Sequence, residues 1–194
     1  MGMEEYAVIL DYLPTGHPED KTPIYKREPI AIALGESYFS LLELAPKKGV
    51  TVQSQERVYL GKESREKIDF IKRRITYDVL TPAARAELEA AIGQIIDRGE
   101  KKFVDFFNLS GPISVRFHQL ELLPGVGNKI MWEVVGERKK KPFEGFADIS
   151  RRIKTLPHPK DLIVKRIELE LSGEKQVGKG KYKIFTQPVK REGR

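Results

Sequence analysis

Leu123-Pro124-Gly125-Val126-Gly127-Asn128-Lys129-Ile130-Met131-Trp132 is the stretch on which the reading of this chain turns. Leu120 and Leu123 predict a helix that stops at Pro124, because proline lacks the amide and disfavours helical backbone in the residue before it. Two glycines then flank Val126, an apolar side chain able to plug the space between two helices. A second helix is expected from Asn128, with Ile130, Met131, Val134 and Val135 at helical spacing. Without β-carbons, the glycines let backbone amides face outward at that helix's N-terminus, where the dipole is positive. An anion fits there, a phosphodiester being the natural one, and Lys129 adds a mobile charge beside it.

Upstream, the pattern changes. Tyr6–Leu10, Pro29–Leu34, Tyr38–Leu44, Glu56–Leu60 and Lys67–Tyr77 read as short strands, punctuated by Pro14, Gly16, Pro18, Gly35, Pro46 and Gly49. Five strands in about seventy residues predict a small barrel of the oligonucleotide-binding type, with a plain antiparallel sheet fitting nearly as well. Tyr6, Tyr12, Tyr25, Tyr38 and Tyr59 are the stacking candidates if that domain takes single strands, and Lys62 to Arg74 its basic contact surface. Thr81-Pro82 opens a helix carrying Leu88, Ala91, Ile92, Ile95 and Ile96, which Gly99 ends. A second helix, Glu100 to Leu109, places Phe103, Phe106 and Phe107 in one core stripe. Ser110-Gly111-Pro112 breaks it, and from Ser114 to Leu171 the pattern is helical again.

Downstream of the hairpin, Pro142-Phe143-Glu144-Gly145-Phe146-Ala147-Asp148-Ile149 leads to Leu156-Pro157-His158-Pro159-Lys160. This reads as a second turn of the same kind whose glycines have become His158 and Pro159. It is expected to be structural, or to bind through Lys160 and Lys165 side chains. The tract Arg138-Lys139-Lys140-Lys141 is expected on the groove side between the two turns. In the basic tail, Tyr182–Thr186 is expected as a late strand returning to the barrel. Trp132, the sole tryptophan, is expected in the core, with stacking on a base as the sharper reading.

Charge and composition narrow the function classes. The net charge of +7 is uneven: residues 1–46 hold eight acids and three bases, so residues 47–194 carry +12. A polyanion is drawn to the second part. Cysteine is absent, which excludes disulfides, thiolate catalysis and cysteine-ligated metals, and suits a reducing cytoplasm. No apolar run approaches the roughly 20 residues of a membrane span, and Glu4 and Glu5 have the wrong sign for a signal peptide. His17, His118 and His158 are far apart, with no paired ligand at metal spacing; His118 is expected to pack or cap near the hairpin and His17 to be exposed. No nucleophile elbow or Walker-type phosphate loop is present. Neither a catalytic residue, a metal nor a cofactor is expected.

The Leu-Pro-Gly-Val-Gly turn between two helical patterns resembles the helix-hairpin-helix family. By that resemblance Gly125, Val126, Gly127, Asn128 and Lys129 contact a backbone phosphate without reading sequence, and Arg138, Lys139, Lys140, Lys141 and Lys160 extend the basic surface. Taken over nearly its whole length, the chain resembles an archaeal family, domain-of-unknown-function family 655, described as RNA-binding. The expected fold class is α+β and multidomain: an OB-like barrel at 1–77, a helical connector at 78–113, an all-helical, SAM-like tandem helix-hairpin-helix domain at 114–172, and a basic tail at 173–194. The expected function is non-catalytic nucleic-acid binding, RNA favoured over DNA, in the cytoplasm, with protein partners open and no membrane partner. The first alternative is a protein-interaction scaffold with an inert hairpin. The second is a DNA-repair protein: Lys129 and Asp148 nearly match the spacing of base-excision glycosylases, but Gly-Phe-Ala-Asp-Ile differs from that family's Val-Asp-Thr-His-like stretch.

Overall fold

The computed structural model describes residues 3–17, 21–173 and 182–186. The chain divides into two compact units, one built on residues up to Ile92 and the other on Gly93–Glu170.

In the first unit, β1 (Tyr6–Leu13), β2 (Ile30–Gly35), β3 (Leu41–Pro46), β4 (Arg57–Tyr59) and β5 (Ile68–Arg74) form one curled antiparallel sheet in the order β4-β1-β2-β3-β5. All five expected strands are present. The sheet is a half-barrel, since no ladder joins β4 to β5 among the described residues. Every residue of β2 and β3 is buried, which is why these strands read as continuous apolar runs instead of alternating ones. A bulge at Leu10 shifts the β1–β2 register, pairing Ile9 with Ala33 and Asp11 with Ile32; such bulges bend a strand and help the sheet curl. Ala7, Ile9, Ala31, Ala33, Leu42, Leu44, Val52, Val58, Leu60 and Ile68 fill the concave core. The larger of these side chains contribute about 1.5–3 kcal/mol each by leaving water.

The helix α1 (Pro82–Arg98) starts as expected. Thr81 Oγ1 accepts the Ala84 amide at 3.0 Å and donates to Asp11 Oδ2 at 2.6 Å, tying the helix start to β1. The division between the two compact units falls inside this helix, between Ile92 and Gly93. Gly99 ends α1 with φ −115° instead of a left-handed cap, because it also begins α2 (Glu100–Leu109). Phe103 and Phe107 of α2 are buried and Phe106 half-buried, as the helical stripe predicts.

The second unit is not all helical. Where the first helix of the hairpin was expected, β6 (Pro112–Ser114) and β7 (Phe117–His118) pair as a small hairpin, and Gln119–Leu122 makes a single tight turn. Only five residues separate His118 from Pro124. The His118 cap starts a turn, and Leu123, forced extended before proline (φ −68°, ψ 133°), ends it. Then come α3 (Asn128–Lys140), α4 (Phe146–Arg152) and α5 (Pro159–Ser172). Pro159 opens α5 at the position where a missing amide costs nothing. Tyr182–Thr186 do not form the expected strand, and Ile184–Thr186 make a bend; residues 174–181 and 187–194 lie outside the described residues.

Candidate functional site

The turn ahead of α3 is built as the residue types dictate. Val126 is 3% exposed and donates its amide to Leu123 O at 3.1 Å, so the apolar plug is in place. Gly125 adopts φ +81°, a left-handed conformation open to glycine at no steric cost. Gly127 stands at the N-cap of α3 with extended backbone, φ −99° and ψ −178°, and no side chain caps the helix. Its carbonyl accepts the Met131 amide at 3.0 Å. Gly125, Gly127, Asn128 and Lys129 are all exposed. The arrangement leaves the positive end of a 13-residue helix facing solvent with a lysine in its first turn, a geometry that accepts an anion.

The preceding turn is held by reciprocal capping. His118 Nδ1 accepts the Leu120 amide at 3.1 Å, while Glu121 Oε2 accepts the His118 amide at 2.8 Å. Burial, reinforced by the Arg138 charge, lowers the His118 pKa and favours the neutral ring, in keeping with Nδ1 as the acceptor. The sequence expectation of a capping His118 holds.

The basic residues separate into committed and available groups. Arg138 is drawn inward: its guanidinium donates to Phe107 O at 2.8 Å, Ser110 Oγ at 3.2 Å and Ser110 O at 2.8 Å. Burial lowers its pKa, and it serves the last carbonyls of α2. Its guanidinium is thus engaged with α2, while the residue also lines the space between α3 and the β6–β7 hairpin. Lys140 pairs with Glu137 at 2.5 Å and Lys141 with Glu144 at 2.7 Å. Lys160 pairs with Asp97 at 2.7 Å. Lys129 and Lys139 are exposed and bear no ion pair among the described residues. Lys139 lies ~16 Å along α3 from the hairpin turn, so the structure does not bring the two expected basic groups together.

Two arginines repeat the inward pattern and were not singled out in the sequence. Arg152 donates to Glu137 O at 2.5 Å and Lys141 O at 2.9 Å, closing the end of α3, and lies over the Phe143 ring at 4.5 Å. Arg166, 1% exposed, pairs with Glu170 at 2.9 Å and donates to Leu122 O at 3.3 Å, directly before the hairpin turn, and to Tyr182 O. A signal for Arg166 exists: Leu162, Ile163, Ile167 and Glu170 place it on the buried stripe of α5.

Asp148 lies in the first turn of α4, paired with Arg151 at 2.5 Å and Arg152 at 3.3 Å. Its hydrogen bond from Arg151, supported by Arg152, holds the carboxyl below its usual range. In the first unit Tyr6 and Tyr59 meet edge to face at 5.2 Å, with Arg57 3.6 Å over the Tyr6 ring, and Tyr12 packs on the core. Of the five tyrosines expected to stack on bases, only Tyr25, 82% exposed, is free of such burial. Lys72 and Arg73 turn to the buried Glu43, at 4.0 and 2.8 Å. His17 is half-buried with Nε2 shielded from solvent, not exposed as expected. Trp132, expected in the core, is 60% exposed. Among the described residues no cluster of three His, Asp or Glu is placed to hold a metal, and no helix is long and apolar enough to cross a membrane.

The family model described as "Protein of unknown function (DUF655)" matches residues 3–187, which takes in the curled sheet, the hairpin turn and α5 together. This chain belongs to the DUF655 family. Among its relatives, the uncharacterized protein MJ0038 of Methanocaldococcus jannaschii is 45% identical over 184 residues, covering 95% of this chain and 80% of that protein. The crystal structure of the DUF655 protein Af1531 from Archaeoglobus fulgidus is similar with a TM-score of 0.86 at 50% identity, over 95% of this chain and 100% of that one. The DUF655 resemblance read from the sequence is thus correct at the level of the family, and its relatives are archaeal.

Proposed function

We propose that this protein binds nucleic acid without acting on it chemically, RNA in preference to DNA, and that Gly125–Lys129 is its grip on the phosphate backbone. Gly127 is the observation that carries the reading. Its φ is negative, and a β-carbon there would meet no atom within 4 Å, so nothing inside the chain requires glycine. Glycine at that place keeps the approach to the first amides of α3 open to a ligand. A phosphate is the fitting occupant, because the helix end is positive, Lys129 stands beside it, and the surrounding chain carries the excess of positive charge. A β-hairpin and one tight turn stand in place of the first helix that a helix-hairpin-helix unit would have, so the proposed grip rests on the turn and the start of α3 alone.

The five strands curled round one core support an oligonucleotide-binding-type first unit. We assign Asp148 a structural role: engaged by two arginines at the start of α4, it is not poised for base-excision chemistry. The proposed setting is the cytoplasm.

The test is fluorescence anisotropy with single-stranded RNA, structured RNA and duplex DNA, comparing wild type with Gly127→Asp. Aspartate is a good N-cap in extended backbone, so the variant folds, but it puts a carboxylate where the phosphate would sit. A loss of tenfold or more on every ligand is expected, with RNA bound more tightly than DNA. Equal binding by the variant refutes the grip. Salt-insensitive capture of a protein in place of nucleic acid favours the scaffold reading.

A further inference from the structure

Trp132 is the only tryptophan of the chain and is 60% exposed, although its neighbours Met131, Val134 and Val135 are buried. It lines a groove of about 360 Å³ between α3 and the β6–β7 hairpin. Val115, fully exposed at the tip of that hairpin, and Phe117 form the facing apolar wall, with Met131 and Val135 beneath. Asn128, the residue that follows the hairpin turn, and the exposed Arg116 also line it.

Position along α3 links this groove to the phosphate grip. Asn128, Trp132 and Lys139 follow one another at helical spacings of four and seven, so they share one face of the helix. The indole stands ~6 Å up the axis from the open helix end. A strand whose phosphate rests on α3's first amides therefore passes its base to Trp132 and brings a later phosphate toward Lys139. We propose that this groove takes one unpaired nucleobase, stacked on Trp132, from the strand held at Gly125–Lys129. The inference rests on the phosphate-grip reading above and adds the class of ligand: single-stranded or looped-out nucleic acid, not continuous duplex.

Size and charge choose this occupant. About 360 Å³ lies at the lower end of the ~300–1,000 Å³ typical of small-ligand sites, room for one base with its sugar. Single-stranded or looped-out segments supply such a base, because their unstacked bases are free to splay onto aromatic side chains. An apolar side chain from a protein would fill the walls but leave Arg116 and Lys129 without complement. The acid in the groove, Glu121, is already engaged by the His118 amide. A nucleotide satisfies the aromatic face, the Asn128 amide and the flanking cations together.

The sole tryptophan makes the test direct. Wild type, Trp132→Ala, Trp132→Phe, Val115→Asp and Gly127→Asp are titrated with a short single-stranded RNA, an RNA duplex of equal length and a single strand lacking bases. Anisotropy reports binding, and tryptophan emission reports the groove. Single-stranded RNA is expected to quench Trp132, and the base-free strand to bind without quenching. Trp132→Ala should lower affinity for single strands about 5- to 100-fold and Trp132→Phe much less, with duplex binding unchanged. Val115→Asp, at a fully exposed site that leaves folding intact, should weaken single-strand binding alone. If single strands bind wild type and Trp132→Ala equally, without quenching, while Gly127→Asp has lost binding, the base site is overturned and the grip stands. If no strand binds wild type, or Gly127→Asp binds as wild type does, the grip itself fails and the base site with it.

Discussion

At φ +81°, Gly125 holds a backbone shape that brings an ordinary residue's β-carbon against its own carbonyl, while Gly127, two residues on, has a backbone any residue adopts. The sequence presents them as a matched pair freeing amides; the structure gives them separate reasons. Gly125→Ala is therefore expected to lower stability by about 1–2 kcal/mol, since nothing crowds the site and the cost is the conformation alone. Gly127→Asp should unfold within about 0.5 kcal/mol of wild type, or later, because aspartate is at least as good an N-cap as glycine. Urea titration of both variants checks this. A large loss in Gly127→Asp would mean that the glycine serves folding after all. Trp132 shows the opposite limit of residue-level reading: its apolar type predicts burial, and only its neighbours reveal that it faces outward.

Two helices of the second unit, α2 and α3, end on arginines supplied by later elements. Arg138 serves α2, and Arg152 serves α3. Each satisfies carbonyls that a helix C-terminus leaves without amides and places a cation at the negative end of the dipole. Asn108 adds a two-bond clamp on Phe143, donating at 2.9 Å and accepting at 2.8 Å, and Glu100 takes the Phe146 amide at 2.8 Å to start α4. Arg138 and Lys139, adjacent in a run of four bases, thus belong to different jobs. Arg138→Leu is expected to cost about 1–3 kcal/mol in stability by stranding the α2 carbonyls, and to leave the salt dependence of binding unchanged. Lys139→Ala should leave stability within about 0.5 kcal/mol and reduce the single-strand salt slope by about 0.7. Denaturant unfolding and salt titrations of the two variants separate the roles; a salt slope lost in Arg138→Leu would reverse the assignment. Composition offers no means of making this distinction, because the partner carbonyls lie some thirty residues away.

Over the whole molecule, the charge is distributed unevenly. The first 46 residues are net −5 and the remainder net +12, so a polyanion is steered toward the basic part. If the grip holds three to five phosphates of a single strand, a slope of about −0.7 per phosphate lowers affinity roughly 20- to 130-fold as salt rises fourfold. Anisotropy titrations at several salt concentrations measure that slope, and a flat response would exclude a phosphate-led interface. Local pattern was enough to determine five strands, the Thr81 cap, the phenylalanine stripe of α2, the valine plug and the family, since each rests on spacing or turn chemistry within a few residues. Tertiary structure alone decided that the sheet stays open between β4 and β5, that a β-hairpin replaces the expected helix before the turn, that Arg138, Arg152 and Arg166 face inward, and that Trp132 faces a groove. The physical reason is one of range: periodicity and capping are local energies, whereas the burial of a charge or the exposure of an indole depends on which distant segment packs beside it.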